Sequence, residues 1–227
     1  MSNLLADKSL IIFDWDGTLM DSIGLIVEAM HVAAQAQGFT TSDEAVKGII
    51  GLSLMRGIEI LFPNTTDEQR QTLQADYAEY YIANSHKAPF FMGIEAMLQT
   101  LIEQGRQLAV ATGKKRAGLD RVLTASASHK YFVSSRCADE SGSKPDPQML
   151  LDILQETGHS IADTVFIGDS IHDIQMAQAL NMTSIAVNYG AATAATLTGK
   201  NPTYQVDSPQ ALIALLTSTT HMTATQS

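Results

Sequence analysis

Two aspartates stand directly after a short, mostly apolar run, and this junction constrains the fold more than any other stretch of the chain. The run is Ser-Leu-Ile-Ile-Phe at residues 9–13, and it is followed by Asp14, Asp16, Gly17 and Thr18. A short apolar run of this kind is typical of a strand buried on both faces of a parallel sheet. Because ligands of such sheets bind beyond the carboxyl ends of the strands, the sequence predicts a pocket that contains two carboxylates.

These carboxylates need a partner of opposite charge. Aspartate is seldom buried without one, and its hard oxygen atoms suit Mg²⁺. An Asp-Gly pair such as Asp16-Gly17 is also common in turns. From this motif alone, an ordinary polar turn after the strand is therefore an alternative to a ligand site.

Length and composition restrict the class of protein. With 227 residues, 45% of them hydrophobic, the chain can bury the core of one α/β domain with or without an insert. The net charge of −10 argues against nucleic-acid and anionic-membrane partners. The lone Cys137 excludes an intramolecular disulfide framework. The first eight residues lack a signal-peptide pattern, and no apolar run reaches the roughly 18 residues of a membrane span, so we expect a cytoplasmic protein.

The segment between residues 21 and 87 is predicted to be entirely helical. Gly38, Gly51 and Pro63 punctuate it into four helices, at residues 21–37, 42–50, 53–62 and 66–85. In the fourth helix Tyr77, Tyr80 and Tyr81 recur at helical spacing, which favours packing over a ligand site. Residues 89–93 are predicted to be a linker that returns to the first strand.

From Ile94 onwards helices and strands alternate, which predicts a parallel sheet. We expect helices at 94–104, 115–125, 147–156 and 171–180 and strands at 107–111, 131–136, 164–167 and 184–187. The predicted fold is therefore α/β, a doubly wound, Rossmann-like parallel sheet with an inserted helical-bundle cap domain. The core domain would comprise residues 1–20 and 89–227 and the cap residues 21–88, with a loose tail at 217–227.

Polar residues follow each of the strong strands. They are Asp14 and Asp16, then Thr112-Gly113-Lys114, then Gly168-Asp169-Ser170 with Asp173 one helical turn later; Lys144 lies in a loop that opens a helix. Because the carboxyl ends of parallel strands share one edge of the sheet, we expect these groups to converge.

In their order and spacing these motifs resemble the haloacid dehalogenase superfamily, in its phosphatase branch. The chain is similar to the phosphoglycolate phosphatase-like group that carries a helical cap of the first type. All four family motifs are present, namely Asp14-Trp15-Asp16-Gly17-Thr18, Thr112, Lys144, and Gly168-Asp169-Ser170-Ile171-His172-Asp173.

The resemblance implies a covalent mechanism at phosphorus. Asp14 would be the nucleophile that forms an aspartyl-phosphate. Asp16 would protonate the leaving oxygen and then take a proton from water, a role that calls for a raised pKa.

The resemblance also implies a metal site and a phosphate site. Mg²⁺ would lie between Asp14, the backbone carbonyl of Asp16 and Asp169, while Asp173 would orient the metal's waters or Lys144. Thr112, the Gly113 amide and Lys144 would bind the phosphoryl oxygens.

The predicted cap would close over the substrate and select the leaving group. Within its loop at residues 48–56, Arg56 could contact a substrate carboxylate or a second phosphate; a solvated helix charge is the alternative. Lys114, Lys115 and Arg116 would make the rim of the site positive.

Three further residues are predicted to lie outside the chemistry of the site. We expect Trp15 and Cys137 to pack in the interior and His172 to lie on the surface.

The sequence thus predicts a Mg²⁺-dependent phosphatase of small phosphomonoesters, such as phosphoglycolate-like compounds or sugar phosphates. A sugar phosphomutase of the β-phosphoglucomutase type would return the same phosphoryl group to its substrate. A phospho-acceptor signalling domain shares an acceptor Asp, a Thr and a Lys, but the second acid Asp16 and the helical insert disfavour it. A binding module that has lost activity is disfavoured because no chemical residue is missing. The expected partner is a small phosphorylated metabolite.

Overall fold

A computed structural model describes residue 5 and residues 7–218 of the chain. Its centre is a sheet of six parallel strands in the order β3-β2-β1-β4-β5-β6. The strands are β1 (Leu10–Phe13), β2 (Gln107–Thr112), β3 (Ser134–Cys137), β4 (Thr164–Gly168), β5 (Thr183–Val187) and β6 (Tyr204–Val206). The predicted α/β class with a parallel sheet is confirmed.

The first strand lies in the middle of the sheet and is fully buried. Phe13 is in register with Val110 of β2 on one side and with Ile167 of β4 on the other. Ile11 and Phe13 belong to the hydrophobic cluster on one face of the sheet, and Leu10 and Ile12 to the cluster on the other. Apolar surroundings on both faces explain why every residue of this strand is apolar.

Helices cover both faces of the sheet. They are α5 (Ile94–Glu103), α6 (Arg116–Ala125), α7 (Gln148–Thr157), α8 (Ile171–Gln178), α9 (Ala194–Thr198) and α10 (Pro209–Thr217). Residues of α5, α6 and α10 belong to the cluster with Phe13, and residues of α7 and α8 belong to the cluster with Ile12. No helix among the described residues combines the length and apolar character needed to cross a membrane.

The four predicted helices between β1 and α5 are present. They are α1 (Ile23–Ala36), α2 (Asp43–Ile49), α3 (Leu54–Leu61) and α4 (Asp67–Ala83). The side chains of Ser42, Ser53 and Thr66 each accept a hydrogen bond from the first turn of the helix that follows. Together these helices form most of a second hydrophobic cluster, which also includes Ala88 and Ala191.

The chain enters and leaves this helical segment at one place. The Asp21 amide donates to the Pro89 carbonyl at 2.8 Å, and the Phe91 amide donates to the Leu19 carbonyl at 3.0 Å. The two connections to the sheet are therefore adjacent.

The second half of the chain departs from the prediction in two respects. The strand expected at 131–136 is β3, at Ser134–Cys137, because residues 129–131 form a 3₁₀ turn. That turn buries Tyr131, whose hydroxyl donates to Glu95. The elements α9, β6 and α10 were not predicted. Of the tail expected at 217–227, Thr217 ends α10, and residues 219–227 lie outside the described part.

Candidate active site

The carboxyl ends of the central strands bring the predicted polar residues together. Asp14 follows β1, Thr112 ends β2 and Asp169 follows β4. Lys144 reaches the same edge from the loop before α7, and all four side chains are buried. A sheet of parallel strands places these residues together although they are far apart in sequence.

A buried lysine joins two of the acids. Lys144 Nζ lies 2.7 Å from Asp14 Oδ1 and 2.7 Å from Asp173 Oδ1. Burial opposes the charge on Lys144, but the two carboxylates outweigh it and raise the pKa of the ammonium group above its ordinary value. The lysine is therefore a fixed positive charge beside Asp14.

Asp173 is held by the first turn of α8. Its Oδ2 accepts hydrogen bonds from the Ser170 amide at 3.0 Å and from the Ser170 hydroxyl at 2.6 Å. With Oδ1 bound to Lys144, both carboxylate oxygens of Asp173 are occupied. This arrangement suits an orienting role for Asp173, since it fixes the position of Lys144.

Asp14, Asp169 and Asp173 form a buried acidic cluster whose ligand atoms lie within 4.8 Å of one another. Asp14 Oδ2 and Asp169 Oδ1 are buried and have no hydrogen-bond partner among the residues that the structure describes. Burial is the main cause that raises the pKa of Asp14 to about 7, and burial together with Asp14 and Asp173 raises the pKa of Asp169 well above its ordinary range. Three carboxylates, one ammonium and two orphaned oxygens fit a divalent cation with oxygen ligands.

Two glycines make room for Asp169. A Cβ at Gly17 would lie 2.1 Å from Asp169 Oδ2, and one at Gly190 would lie 2.2 Å from the same oxygen. The Ala191 amide donates to this oxygen at 2.6 Å. The sequence motif included Gly17. Gly190, which follows β5, was not identified from the sequence because it has no side chain that could take part in the chemistry.

The Asp16 side chain points away from the acidic cluster. Its Oδ1 accepts from the Ser22 hydroxyl at 2.7 Å, and its Oδ2 lies 2.9 Å from Lys114 Nζ. The Tyr81 hydroxyl of α4 approaches Asp16 at 3.5 Å and Lys114 at 3.2 Å. Any contact of Asp16 with a metal ion would therefore come from its backbone carbonyl, as the family resemblance implies.

The expectation of three cations at the rim is wrong in part. Lys114 is largely buried and paired with Asp16. Arg116 turns towards β3, where it lies 2.6 Å from Glu140 and 3.4 Å from Asp120. Lys115 is exposed and lines the entrance. The sequence did not single out Arg121, which also lines the entrance one helical turn after Gly118.

A cavity of about 260 Å³ opens beside these groups. Asp14, Asp16, Thr112 and Gly113 line its inner end. Residues of α1, α2, α3, α4 and α6, of the loop between α2 and α3, and Lys114 and Lys115 before α6 line the remainder. The acids that would act on a substrate therefore stand at the bottom of a pocket shared by the sheet edge and the helical segment.

Two tyrosines that were expected only to pack line this cavity. The rings of Tyr77 and Tyr81 are stacked, with centroids 5.9 Å apart and an angle of 20° between their planes. Burial is the main cause that raises the pKa of both hydroxyl groups, so both remain neutral donors. Helical spacing alone could not show whether these tyrosines pack in a core or line a cavity, because the same face of a helix can do both.

The loop between α2 and α3 rests on the sheet edge. The Ser53 amide donates to Ser143 Oγ at 3.0 Å, and His172 Nε2 lies 3.3 Å from the Gly48 carbonyl oxygen. A Cβ at Gly113 would lie 2.4 Å from the Leu52 carbonyl oxygen. His172, expected on the surface, is thus half-buried beneath this loop.

Arg56 is not brought to the cavity. Its exposed guanidinium pairs with Glu59 at 2.9 Å, and it lines a separate hollow beside Ser143. Trp15 packs in the interior against Phe90 and Phe132, as expected.

The chain resembles known proteins along most of its length. The sequence model of the haloacid dehalogenase-like hydrolases matches residues 11–187. A protein of Dickeya dadantii named "Probable phosphatase IndB" is 33% identical over 88% of this chain and 90% of its own length. A phosphoglycolate phosphatase from Psychrobacter arcticus is 28% identical over 92% of this chain and 96% of its own. The crystal structure of a hydrolase from Pseudomonas syringae is 25% identical and matches with a TM-score of 0.84, over 92% of this chain and 97% of that one.

Proposed function

The chain belongs to the haloacid dehalogenase-like hydrolases, and from that premise we propose that it is a Mg²⁺-dependent phosphatase of a small phosphomonoester. The observation that carries the proposal is the state of Asp14. Lys144 holds one of its oxygens, while the other is buried without a hydrogen-bond partner in the described part of the chain, and Asp14 itself lines the cavity. A carboxylate held in this way is suited to attack a phosphorus atom bound in the cavity.

The reaction proceeds in two displacements. Asp14 attacks phosphorus, the bond to the leaving oxygen breaks, and Asp16 gives that oxygen a proton, which yields an aspartyl-phosphate and a free alcohol. Asp16 then takes a proton from a water molecule that attacks phosphorus, and inorganic phosphate leaves while Asp14 is restored. The Asp16 side chain is suited to this task because it faces the cavity rather than the acidic cluster.

Three groups would stabilise the charge on the phosphoryl oxygens. They are the Lys144 ammonium, the Thr112 hydroxyl and the Gly113 amide. Fixed donors in a water-poor site account for much of the catalysis in phosphoryl transfer, because little other chemistry is required of the protein.

Asp14 and Asp169, with the carbonyl oxygen of Asp16, would hold the Mg²⁺ ion. Asp173 would act behind them, since Lys144 and Ser170 occupy both of its oxygens. A bound Mg²⁺ ion lowers the repulsion between an anionic nucleophile and an anionic substrate. The two orphaned oxygens and the raised pKa values of Asp14 and Asp169 support a cation at this place.

We assign the two parts of the chain different tasks. Residues 1–20 and 89–227 would form the catalytic core, and residues 21–88 a cap that excludes water and contacts the leaving group. Their shared cavity and adjacent connections support this division. The substrate is a small phosphorylated metabolite, and relatives named phosphoglycolate phosphatase make phosphoglycolate a first compound to test.

Turnover of p-nitrophenyl phosphate tests the proposal. With Mg²⁺ present the wild type should release phosphate continuously, whereas Asp14→Asn should lose at least about 1,000-fold in kcat because the nucleophile is gone. Asp163→Asn, which changes an exposed carboxyl at the opposite end of β4, should keep its activity. Circular dichroism should show that both variants are folded.

The products separate the alternatives. Wild-type turnover by Asp14→Asn would refute the nucleophile assignment. Interconversion of sugar-phosphate isomers without phosphate release would indicate a mutase. A single phosphorylation of Asp14 without repeated turnover would indicate a signalling domain.

A further inference from the structure

We propose that the preferred substrate is the phosphate ester of an alcohol with a ring-sized apolar body, and that this body fills the cleft between α4 and α6. The inference rests on the proposed phosphatase function and names the substrate class of the same site. It implies that phosphoglycolate, whose alcohol part has two carbons, is a poor substrate.

The cleft extends well beyond the reacting groups. Its α6 wall runs from Ala117 to Arg121, and its α4 wall runs from Gln74 to Ile82. At 1.5 Å per residue these walls are about 6 and 12 Å long. The carbons of a glycolate leaving group would reach only on the order of 4 Å beyond the ester oxygen. Most of the cleft would therefore stay empty beside phosphoglycolate.

The walls of the cleft are mostly apolar, although Gln74 also lines them. Ile26, Met30 and Ile50 line it from the helical segment, and the stacked pair Tyr77 and Tyr81 adds an aromatic surface. Water molecules form few hydrogen bonds with such walls, so their displacement by an apolar group of the substrate is favourable. The cavity of about 260 Å³ has room for roughly nine water molecules.

The charges in the cleft do not suit the carboxylate of glycolate. Lys114 is the lining cation next to Asp16, and its ammonium is already paired with Asp16 at 2.9 Å. Lys115 and Arg121 are exposed at the entrance, and Arg121 is one to two helical turns further along α6. A carboxylate two carbons from phosphorus would thus have to compete with Asp16 for Lys114, which is less favourable than binding to a cation of its own.

A matched set of substrates tests the inference. Ethyl phosphate and 2-phenylethyl phosphate are both esters of primary alcohols, so they differ chiefly in the ring. Burial of a phenyl-sized group should raise kcat/KM about 10- to 100-fold for 2-phenylethyl phosphate over ethyl phosphate. The kcat/KM for 2-phenylethyl phosphate should exceed that for 2-phosphoglycolate by a similar factor.

A variant locates the effect in the cleft. Ala78 faces the cleft from α4, so Ala78→Leu should narrow it and lower the phenylethyl-to-ethyl ratio about tenfold or more. Ala75→Leu changes an exposed residue one turn earlier on the same helix and should leave the ratio as in the wild type.

A phenylethyl-to-ethyl ratio of kcat/KM near one would overturn the inference while leaving the phosphatase function intact. So would a kcat/KM for 2-phosphoglycolate that is higher than that for 2-phenylethyl phosphate. An unchanged ratio in Ala78→Leu would do the same. If the wild type turned over neither these esters nor p-nitrophenyl phosphate, the proposed function itself would fail.

Discussion

Lys144 is the residue on which the charge balance of the site depends. It is fully buried and meets Asp14 and Asp173, while Asp169 adds a third buried carboxyl. Removing one member of such a cluster leaves a buried charge without its partner, and this costs more free energy than the intact pair contributes. The arrangement that we propose prepares Asp14 for reaction therefore also makes the fold sensitive to substitution at Lys144.

Lys144→Met should lower the free energy of unfolding of the metal-free protein by about 3 to 5 kcal/mol. Urea unfolding followed by circular dichroism measures the change. Added Mg²⁺ should restore part of the loss, because it compensates the same carboxylates. Lys47→Met, at an exposed lysine of α2, should stay within about 0.5 kcal/mol of the wild type. Equal stability of the two variants would contradict the burial argument.

Metal binding should depend on pH near neutrality. The raised pKa values of Asp14, about 7, and Asp169 mean that the metal-free fold holds protons that a cation must displace. Affinity for Mg²⁺ should therefore be present above about pH 7 and be lost as the pH falls through that value. The increase in melting temperature caused by Mg²⁺ should be larger at about pH 8 than at about pH 6.

The metal-free protein should show the opposite trend in stability. A carboxyl whose pKa is raised in the folded state binds more protons there than in the unfolded chain, so stability should decrease as the pH rises from about 4 to about 7. In Asp169→Asn both pH trends should be weaker. Mg²⁺ stabilisation of equal size at both pH values would argue against cation binding at Asp14 and Asp169.

Replacing Asp16 should lower activity most on substrates whose leaving group is a weak acid. Its side chain faces the cavity, where it could protonate the departing oxygen. General acid catalysis contributes about 100- to 10,000-fold, so Asp16→Ala should lose activity in this range on ethyl phosphate. The loss should be much smaller on p-nitrophenyl phosphate, whose leaving group needs little protonation. Equal small losses in kcat on both substrates would rule out the acid role.

At the scale of the elements, local signals predicted the parts that depend on local chemistry. Ser42, Ser53 and Thr66 start their helices through side-chain caps that are readable from residue type. The site residues Asp14 and Asp169 could be placed because a parallel sheet collects strand ends at one edge. Features that depend on neighbouring residues in the sequence, or on the topology of a parallel sheet, could therefore be predicted.

Other parts depend on contacts that sequence pattern does not contain. The short strand β6 is only half-buried, so its apolar pattern is weak. Lys114 and Arg116 are two residues apart, but one turns to Asp16 and the other to Glu140. Which way each long side chain turns is decided by the carboxylate it meets, and that partner is distant in sequence.

The loop between α2 and α3 makes a close contact that can be tested by one methyl group. A Cβ at Gly113 would come within 2.4 Å of the Leu52 carbonyl oxygen, and backbone cannot yield at low cost. Gly113→Ala should displace the loop from the sheet edge, raising KM and lowering kcat by about tenfold or more. Steady-state kinetics measures both constants.

Gly24→Ala is the matched control. Gly24 is exposed in the first turn of α1, and a Cβ there meets nothing within 4 Å. This variant should keep wild-type kinetics and gain up to about 1 kcal/mol of stability from helix propensity. Wild-type kinetics in Gly113→Ala would show that the loop need not touch the sheet edge for catalysis.

At the scale of the whole molecule, the helical segment lines one side of the cavity and supplies most of a second hydrophobic cluster. Polar contacts hold its α2–α3 loop to the sheet edge, among them that of Ser53 with Ser143. The adjacent connections at Asp21 and Phe91 are the basis for the prediction that the segment moves as a lid. On that prediction, a substrate larger than water enters when the segment lifts.

Locking the segment in place tests this motion. The Ser53 amide contacts Ser143 Oγ at 3.0 Å, so Ser53→Cys together with Ser143→Cys is the pair to test for a disulfide between the loop and the sheet edge. The native Cys137 should not interfere, since it is buried and burial raises the pKa of its thiol to about 12. The oxidised double variant should lose at least about tenfold in kcat/KM, and a reductant should restore it, because the locked cavity cannot exchange substrate and product. The two single variants should respond to neither treatment. Full turnover by the oxidised double variant, with the cross-link verified by mass spectrometry, would show that substrates reach Asp14 without movement of the segment.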